Sequence, residues 1–248
     1  MKKKYLAYTL LMSISGTCLA TSVDDIRWIA QNYKPYSYME DNSKKGMIIE
    51  IVGAVLKKLD SKKTINDIEI ETFSRSFVRR NNDPNTVFFP LVKSPEREKY
   101  FKWVGPIVID EPVLFAKKSK NIKINNDGDL KSYIIGTKEG YSAVKILKNI
   151  GVKSSSLKLN DTDMEGLEKI SQDKLDLIAC DKLSCIAAMK DNKINPQDYD
   201  IVYKMQGSEL SFAFNKDTDE EVIDKVSKAF EEVRKSKEYT DITKRYLD

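Results

Sequence analysis

The chain alternates between short apolar runs, which predict strands, and stretches with apolar residues at helical spacing, which predict helices. Residues 68–73 alternate between apolar and polar side chains, as a half-buried strand does. Apolar or extended runs predict the other strands at 26–30, 87–92, 106–116, 133–137, 156–159, 175–180, 201–203 and 210–214. Helices are predicted at 46–59, 74–81, 143–150, 163–171, 182–189, 220–235 and 238–247, with a short one starting at Ser94.

Strands that alternate with helices predict an α/β fold with mostly parallel sheets. Two such series, joined by two long extended runs, predict two lobes with a double crossover between them. We place lobe 1 at residues 24–110 and 210–248 and lobe 2 at residues 111–209, with hinges near 109–112 and 203–210. The cleft between the lobes is then the expected binding site.

Residues 1–20 have the pattern of a signal peptide. Three lysines precede a mostly apolar run from 5 to 19, and small residues stand near position 20. The apolar run is shorter than the roughly 18–20 residues of a transmembrane helix. We expect cleavage after Ala20 or Ser22 and a soluble periplasmic protein, with a lipoprotein anchored at Cys18 as the alternative.

Composition and charge narrow the class of function. Of 248 residues, 41% are hydrophobic and 32% are charged, which suffices for one large core or two modest ones. The net charge of +4 falls to +1 without the leader, because the leader holds three of the 42 basic residues and none of the 38 acidic ones. The remaining charges are interspersed, so we expect no nucleic-acid partner.

The chain contains no histidine. This excludes Ser-His-Asp and Cys-His catalysis and every histidine-ligated metal site. We expect neither a metal ion nor a cofactor, and nothing in the chain demands more than a monomer.

The mature part of the chain keeps two cysteines, Cys180 and Cys185. An oxidising compartment permits a disulfide between them. Cysteine is also a common small core residue, so the spacing leaves a pair of free thiols open as the alternative.

Two charged residues stand at the carboxyl ends of predicted strands, where open α/β sheets bind ligands. Arg97 follows strand 87–92 in the first turn of a short helix, and its planar guanidinium fits a carboxylate through two hydrogen bonds. Asp181 follows strand 175–180, where it can bind an ammonium group or cap the next helix. A zwitterion needs one such cation and one such anion, and two lobes can present them from opposite walls.

Two further features can complete this site. The turn of Gly140, Tyr141 and Ser142 opens a helix, so its backbone N–H groups can share the carboxylate. Tyr33 and Phe73 can supply aromatic walls.

Several motifs occur in an order that resembles a known family. They are Pro35-Tyr36-Ser37-Tyr38, the segment 46–52, Phe73-Ser74-Arg75, Ser94-Pro95-Glu96-Arg97, and the segments 135–140 and 175–181. Together they resemble the periplasmic amino-acid-binding proteins of ABC importers (solute-binding protein family 3), and the similarity covers residues 26–247. The resemblance implies a two-lobed periplasmic-binding-protein fold of type II with a ligand cleft between the lobes.

The resemblance also implies roles for single residues. Arg97, helped by Ser142, would bind the ligand α-carboxylate, and Asp181 would bind the α-ammonium. Around them, Tyr33 and Phe73 would sandwich the ligand side chain, Leu91 and Val92 would border the pocket through their backbone, and Arg75 would add a positive group.

The resulting hypothesis is a non-catalytic, exported binding protein that passes an amino acid or similar polar solute to an ABC-transporter permease. One alternative is an enzyme on the same fold that resembles cyclohexadienyl dehydratase, with Glu111 or Lys138 as acid or base. No pair of carboxylates stands at a diagnostic spacing in the sequence. Another alternative is an orphan sensor that presents its ligand to a receptor.

Overall fold

The computed structural model describes residues 22–72 and 84–247. Its strands are β1 (Arg27–Gln31), β2 (Tyr38–Glu40), β3 (Ser43–Lys45), β4 (Glu69–Glu71), β5 (Thr86–Val92), β6 (Phe101–Ile109), β7 (Pro112–Lys117), β8 (Ile135–Lys138), β9 (Leu157–Asn160), β10 (Leu177–Asp181), β11 (Tyr199–Lys204) and β12 (Glu209–Asn215). Its α-helices are α1 (Met47–Lys58), α2 (Pro95–Glu98), α3 (Ser142–Ile150), α4 (Asp163–Ser171), α5 (Lys182–Asp191), α6 (Glu220–Arg234) and α7 (Lys237–Leu247). The predicted leader and the helix predicted at 74–81 lie outside the described residues.

The strands form two five-stranded sheets and a small hairpin of β2 and β3. The first sheet has the order β4-β1-β5-β12-β6, and the second has the order β11-β7-β10-β8-β9. In each sheet, strands that follow one another through helices pair in parallel, as β1 does with β4 and β5, and β8 with β9 and β10. The predicted α/β architecture is confirmed.

Four of the five strands in each sheet run in the same direction, as the prediction of mostly parallel sheets requires, but each sheet also contains one antiparallel strand that was not predicted. β12 runs antiparallel to β5 and β6, and β7 runs antiparallel to β10 and β11. These antiparallel strands flank the points where the chain changes sheet. A strand that enters a sheet from the opposite end has the same apolar pattern as a parallel one, so the residue pattern alone does not distinguish them.

The chain crosses between the sheets twice, and the two crossings run side by side. The run predicted as one extended segment at 106–116 is two strands in different sheets, since β6 ends at Ile109 and β7 begins at Pro112. The return crossing joins β11 to β12. Backbone hydrogen bonds link the two crossings, from Asp110 N to Ser208 O at 3.0 Å and from Met205 N to Pro112 O at 2.9 Å.

Each sheet has its own apolar core. In the first, edge-to-face aromatic pairs join the sheet to helix α6: Trp28 lies 6.1 Å from Phe212, and Phe212 lies 5.4 Å from Phe230. In the second, Leu114, Leu177 and other buried aliphatic side chains pack beneath the helices. Among the helices described, none is both long enough and apolar enough to cross a bilayer.

Candidate functional site

A cavity of about 680 Å³ lies between the two sheets, at the ends of β1, β5, β6, β8 and β10. Six of the eight residues predicted for the site line it: Tyr33, Leu91, Val92, Arg97, Ser142 and Asp181. The remaining two, Phe73 and Arg75, lie outside the described residues, so their places in the site stay predictions.

Arg97 lies on the wall formed by the first sheet. Helix α2 begins directly after β5, and Ser94 stands at its N-cap position. The backbone carbonyl of Ser94 accepts from the N–H groups of Arg97 and Glu98, and its side chain makes no capping hydrogen bond. The Arg97 guanidinium is half-buried and donates from Nη1 to the carbonyl of Val92 at 2.8 Å. Burial lowers the pKa of Arg97, but a guanidinium remains charged in proteins.

Asp181 lies at the opposite side of the cavity and is only 3% exposed. It ends β10 and caps α5, since its Oδ1 accepts from Ser184 N at 2.9 Å. Its Oδ2 accepts from the Tyr36 hydroxyl at 3.0 Å and from Glu111 N at 3.1 Å. Burial raises the pKa of Asp181, and these donors oppose the shift. Asp181 is therefore both a helix cap and a lining residue of the cavity.

Aromatic rings from both walls meet beside these charges. The ring of Tyr33, in the loop after β1, lies 4.9 Å from the ring of Tyr36 and 5.9 Å from that of Tyr141. Tyr141 comes from the opposite wall, where it stands at the N-cap of α3 and donates its hydroxyl proton to Asp163 at 2.7 Å. Burial raises the pKa of Tyr33 and Tyr141, so both hydroxyls stay protonated at neutral pH.

The turn of Gly140, Tyr141 and Ser142 opens helix α3, as the sequence predicted. Gly140 has a φ of 83°, a left-handed conformation that favours glycine. Ser142 begins the helix, and both residues line the cavity. The N–H groups of Ser142 and Ala143 precede the first hydrogen bond of α3, from Val144 N to Tyr141 O at 3.1 Å, so they are available to an anionic group.

A family model supplies the decisive comparison. The model of bacterial extracellular solute-binding proteins, family 3, matches residues 27–248. The chain belongs to this family.

Relatives and solved structures agree with this family 3 assignment. A probable histidine-binding protein of Campylobacter jejuni is 23% identical over 226 residues, which cover 88% of this chain and 82% of that protein. The fold is also that of an ancestral arginine-binding protein solved with glutamine, at a TM-score of 0.71 and 22% identity, over 90% of this chain and 98% of that one. Another ancestral amino-acid-binding protein, a precursor of cyclohexadienyl dehydratase, has a TM-score of 0.70 at 17% identity, over 90% and 96% of the two chains. At these identities the two structures show the fold alone, the two-lobed fold of periplasmic amino-acid-binding proteins.

Asp110 is a lining residue of this family 3 cleft that the sequence analysis did not single out. It follows β6 at the first crossing, is 5% exposed, and accepts from Ser208 N at 2.5 Å. Burial, together with the negative charge of Asp181, raises the pKa of Asp110 to about 6. The sequence held one signal for it, namely an acidic residue within the long apolar run 106–116. The sequence did not reveal that the chain passes from one sheet to the other at that residue.

The two residues proposed as acid or base for an enzyme differ in position. Glu111 is exposed and pairs with Lys182 at 3.3 Å, so its carboxylate is held by a surface cation. Lys138 lines the cavity, with its ammonium 5.1 Å from the centre of the Tyr141 ring.

Cys180 and Cys185 form a disulfide in the structure, with their Cα atoms 6.2 Å apart. This answers the question that their spacing left open. Both are fully buried, and Cys180 also lines the cavity. The bond links the end of β10 to helix α5, and its two cysteines lie on either side of Asp181 in the sequence.

The two walls already touch at the rim of the cleft. Lys34, from the loop after β1, pairs with Asp191 of α5 at 2.7 Å. Lys145 of α3 pairs with Glu96 of α2 at 2.8 Å. Both pairs are exposed to solvent, so each contributes little to stability.

Among residues 22–72 and 84–247, no cluster of three or more acidic or cysteine side chains is arranged to hold a metal ion.

Proposed function

We propose that this family 3 protein is an exported, periplasmic binding protein that captures an amino acid by closing its two lobes and delivers it to an ABC importer. The observation that carries the proposal is the placement of opposite charges on two walls of one cavity. Arg97 stands on the wall of the first sheet, and Asp181 stands on the wall of the second. The α-carboxylate and α-ammonium of an amino acid match these two charges.

The remaining lining residues fit the same ligand. The N–H groups at the start of α3, beside Ser142, add donors for the carboxylate. The Tyr33 and Tyr141 rings give apolar area against which a side chain can pack. Phe73 and Arg75 remain proposed members of the site.

Lobe movement is the proposed mechanism of capture. Lobe 1 is proposed to comprise residues 24–110 and 210–248, and lobe 2 residues 111–209, which meet at the paired crossings. Because each crossing is one short segment, rotation there moves whole lobes with small changes in backbone angles. A ligand that bridges Arg97 and Asp181 contacts both walls only when they are close, so it stabilises the closed form. A membrane permease would then bind that form, with a monomer as the delivering unit.

Support for a binding protein over a dehydratase comes from the candidate acid–base groups. Glu111 is exposed and paired with Lys182 rather than part of the cavity lining. Lys138 lies beside Tyr141. Burial raises the pKa of Asp163, and the charge of Lys138 opposes that rise. Of the two candidate groups, Lys138 alone lines the cavity.

A thermal-shift screen of the mature protein against the standard amino acids tests the proposal. A ligand at about 100 times its dissociation constant stabilises the folded state by about 2.7 kcal/mol, which raises the melting temperature by roughly 5–10 °C in a chain of this size. We expect at least one amino acid to give such a shift, and the shift to disappear in Arg97→Ala. If no amino acid shifts the melting temperature, the proposed ligand class is wrong.

A further inference from the structure

The hydroxyl of Tyr36 makes a buried hydrogen bond that crosses from one wall of the cleft to the other. It donates to Asp181 Oδ2 at 3.0 Å, and the two residues are 1% and 3% exposed. Tyr36 lies in the loop between β1 and β2 and packs in the apolar core of the first sheet. Asp181 ends β10 in the second sheet. The bond therefore joins the two walls directly.

The other two donors to Asp181 lie on its own side of the cleft. Ser184 N, on α5, donates at 2.9 Å, and Glu111 N, at the start of the stretch proposed as lobe 2, donates at 3.1 Å. Glu111 is itself tied to α5, because its carbonyl accepts from Lys182 N at 2.9 Å. Both donors therefore move with Asp181 when the proposed lobes separate. Of these three hydrogen bonds, the one from Tyr36 is the one that opening of the cleft breaks.

The ring of Tyr36 is fixed on the first wall. The Tyr36 N–H donates to Tyr33 O at 2.8 Å, and the Tyr36 carbonyl accepts from Ile48 N, in the first turn of α1, at 2.8 Å. Gly46, with a φ of 122°, allows this close approach, since a Cβ there would clash with the Tyr36 carbonyl. The hydroxyl is thus presented by a ring that cannot follow Asp181 when the walls move apart.

Apolar contacts surround this hydrogen bond and keep water from it. Leu183, which follows Asp181 on α5, packs against the core of the first sheet, and the Tyr33 ring lies 4.9 Å from the Tyr36 ring. A hydrogen bond to a buried carboxylate is stronger than one to a hydrated carboxylate, and its loss leaves a charge without a donor. The bond should therefore matter more for closure than the exposed ion pairs at the rim.

We propose that Tyr36 is a positioning residue that couples ligand capture to lobe closure through Asp181. Its hydroxyl orients the carboxylate that receives the α-ammonium and stabilises the closed form. This inference rests on the proposed function, in which the lobes move and Asp181 binds the α-ammonium. The bond includes no part of a ligand side chain, so its effect should be the same for every amino acid that the cleft binds. The open form lacks the bond, so the effect should appear in the rate of release.

Tyr36→Phe tests the inference, because it removes one oxygen atom and keeps the ring with its packing. Each standard amino acid is titrated into the whole exported protein by calorimetry, and those that bind are followed by stopped-flow fluorescence. We expect Tyr36→Phe to weaken binding of all of them by a similar factor of about tenfold, the effect of one hydrogen bond to a buried charge. The dissociation rate should rise by about tenfold, and the association rate should change by about twofold or less.

Tyr246→Phe is the matched control. The Tyr246 hydroxyl also donates to a carboxylate, that of Glu50 at 2.6 Å, but both residues belong to the part of the chain proposed as lobe 1. Closure does not affect that bond, so Tyr246→Phe should release amino acids at the wild-type rate. If Tyr36 had a structural role alone, Tyr36→Phe would behave like this control, with a lower melting temperature and an unchanged dissociation rate.

A crystal structure of the wild type with a bound amino acid provides a second measurement if Tyr36→Phe does not fold. A Tyr36 hydroxyl within about 3.2 Å of the Asp181 carboxylate would support the inference, and a wider separation would overturn it. Release at the wild-type rate in Tyr36→Phe would also overturn it, and the proposed function would stand because amino acids still bind. Failure of every amino acid to bind to the wild type would overturn the proposed function and this inference with it.

Discussion

The two ends of the cleft bind charge in different ways. At one end, Arg97 projects from a four-residue helix, is half-buried, and borders both the central cavity and an adjoining hollow of about 1040 Å³. At the other end, Asp181 is almost fully buried, receives three hydrogen bonds and is flanked by a disulfide. The cationic end is open, and the anionic end is enclosed and held in place.

This difference follows from the chemistry of the two groups. A guanidinium is weakly hydrated and presents its donors in one plane, so it binds a carboxylate well from a partly open position. A buried carboxylate is stable only when donors surround it. The anionic end is consequently part of the fold, whereas the cationic end is chiefly part of the binding site. Mutations at the two ends should therefore separate effects on affinity from effects on stability.

The largest expected effect is on affinity, at the open end. Arg97→Ala leaves the ligand carboxylate unpaired when the cleft closes, which should weaken binding by about 2–5 kcal/mol. The melting temperature of the unliganded protein should change little, because the side chain is half-buried. Calorimetry and thermal unfolding measure the two quantities. Arg234→Ala, an exposed arginine on α6, is the matched control, and near-normal affinity in Arg97→Ala would exclude Arg97 from the site.

The next largest effect is on the free energy of unfolding. It comes from Asp110, at the enclosed end, and depends on pH. The pKa of Asp110 is raised from an ordinary value of 3.8 to about 6, so between these values the folded protein binds more protons than the unfolded chain. The free energy of unfolding should therefore fall as the pH rises from about 4 to about 6, by at most about 3 kcal/mol from this group. The raised pKa of Asp181 acts in the same direction. Thermal unfolding of the unliganded protein across this range measures the fall.

Asp110→Asn removes the Asp110 contribution while keeping an oxygen that can accept from Ser208 N. The free energy of unfolding of the variant should depend less on pH than that of the wild type. The dependence that remains should come from Asp181. A profile as steep as that of wild type would show that Asp110 does not titrate in this window.

The disulfide is expected to have a comparable effect on stability. Cys180 and Cys185 are five residues apart, so replacing both by alanine removes a small covalent loop that constrains the unfolded chain. Loop-closure entropy puts the loss at about 2 kcal/mol, or a few degrees in melting temperature. Ligand affinity should also fall, since the bond flanks Asp181. Unchanged unfolding in the variant would mean that the covalent link does not stabilise this end.

The smallest effect is expected at the rim, where the two walls meet through exposed ion pairs. Lys34→Ala breaks the pair with Asp191 and should cost about 0.5 kcal/mol or less. Chemical denaturation in low and high salt measures this cost, which should vanish at high salt because exposed charges are screened. A loss above about 2 kcal/mol would indicate that the rim, and not the enclosed end, holds the walls together.

The sequence allowed most elements and the two ends of the site to be predicted, because their signals are local. Strand 87–92 followed by Ser-Pro-Glu-Arg placed Arg97 at a strand end, and strand 175–180 placed Asp181 likewise; both line the cavity. The antiparallel strand in each sheet and the role of Asp110 were missed for one shared reason. Both depend on where the chain crosses between sheets, and the apolar pattern of 106–116 continues through that crossing.

A cycle of two proteins and two ligands tests the central claim most directly, namely that the ligand carboxylate binds at Arg97. Wild type and Arg97→Ala are each titrated with the amino acid that the screen identifies and with its α-amide, which lacks the carboxylate charge. The account predicts that Arg97→Ala weakens binding of the amino acid by roughly thirtyfold or more, which corresponds to the lower end of about 2–5 kcal/mol. Binding of the amide should weaken by about threefold or less. An equal loss for both ligands would contradict it, because Arg97 would then act on the protein and not on the carboxylate.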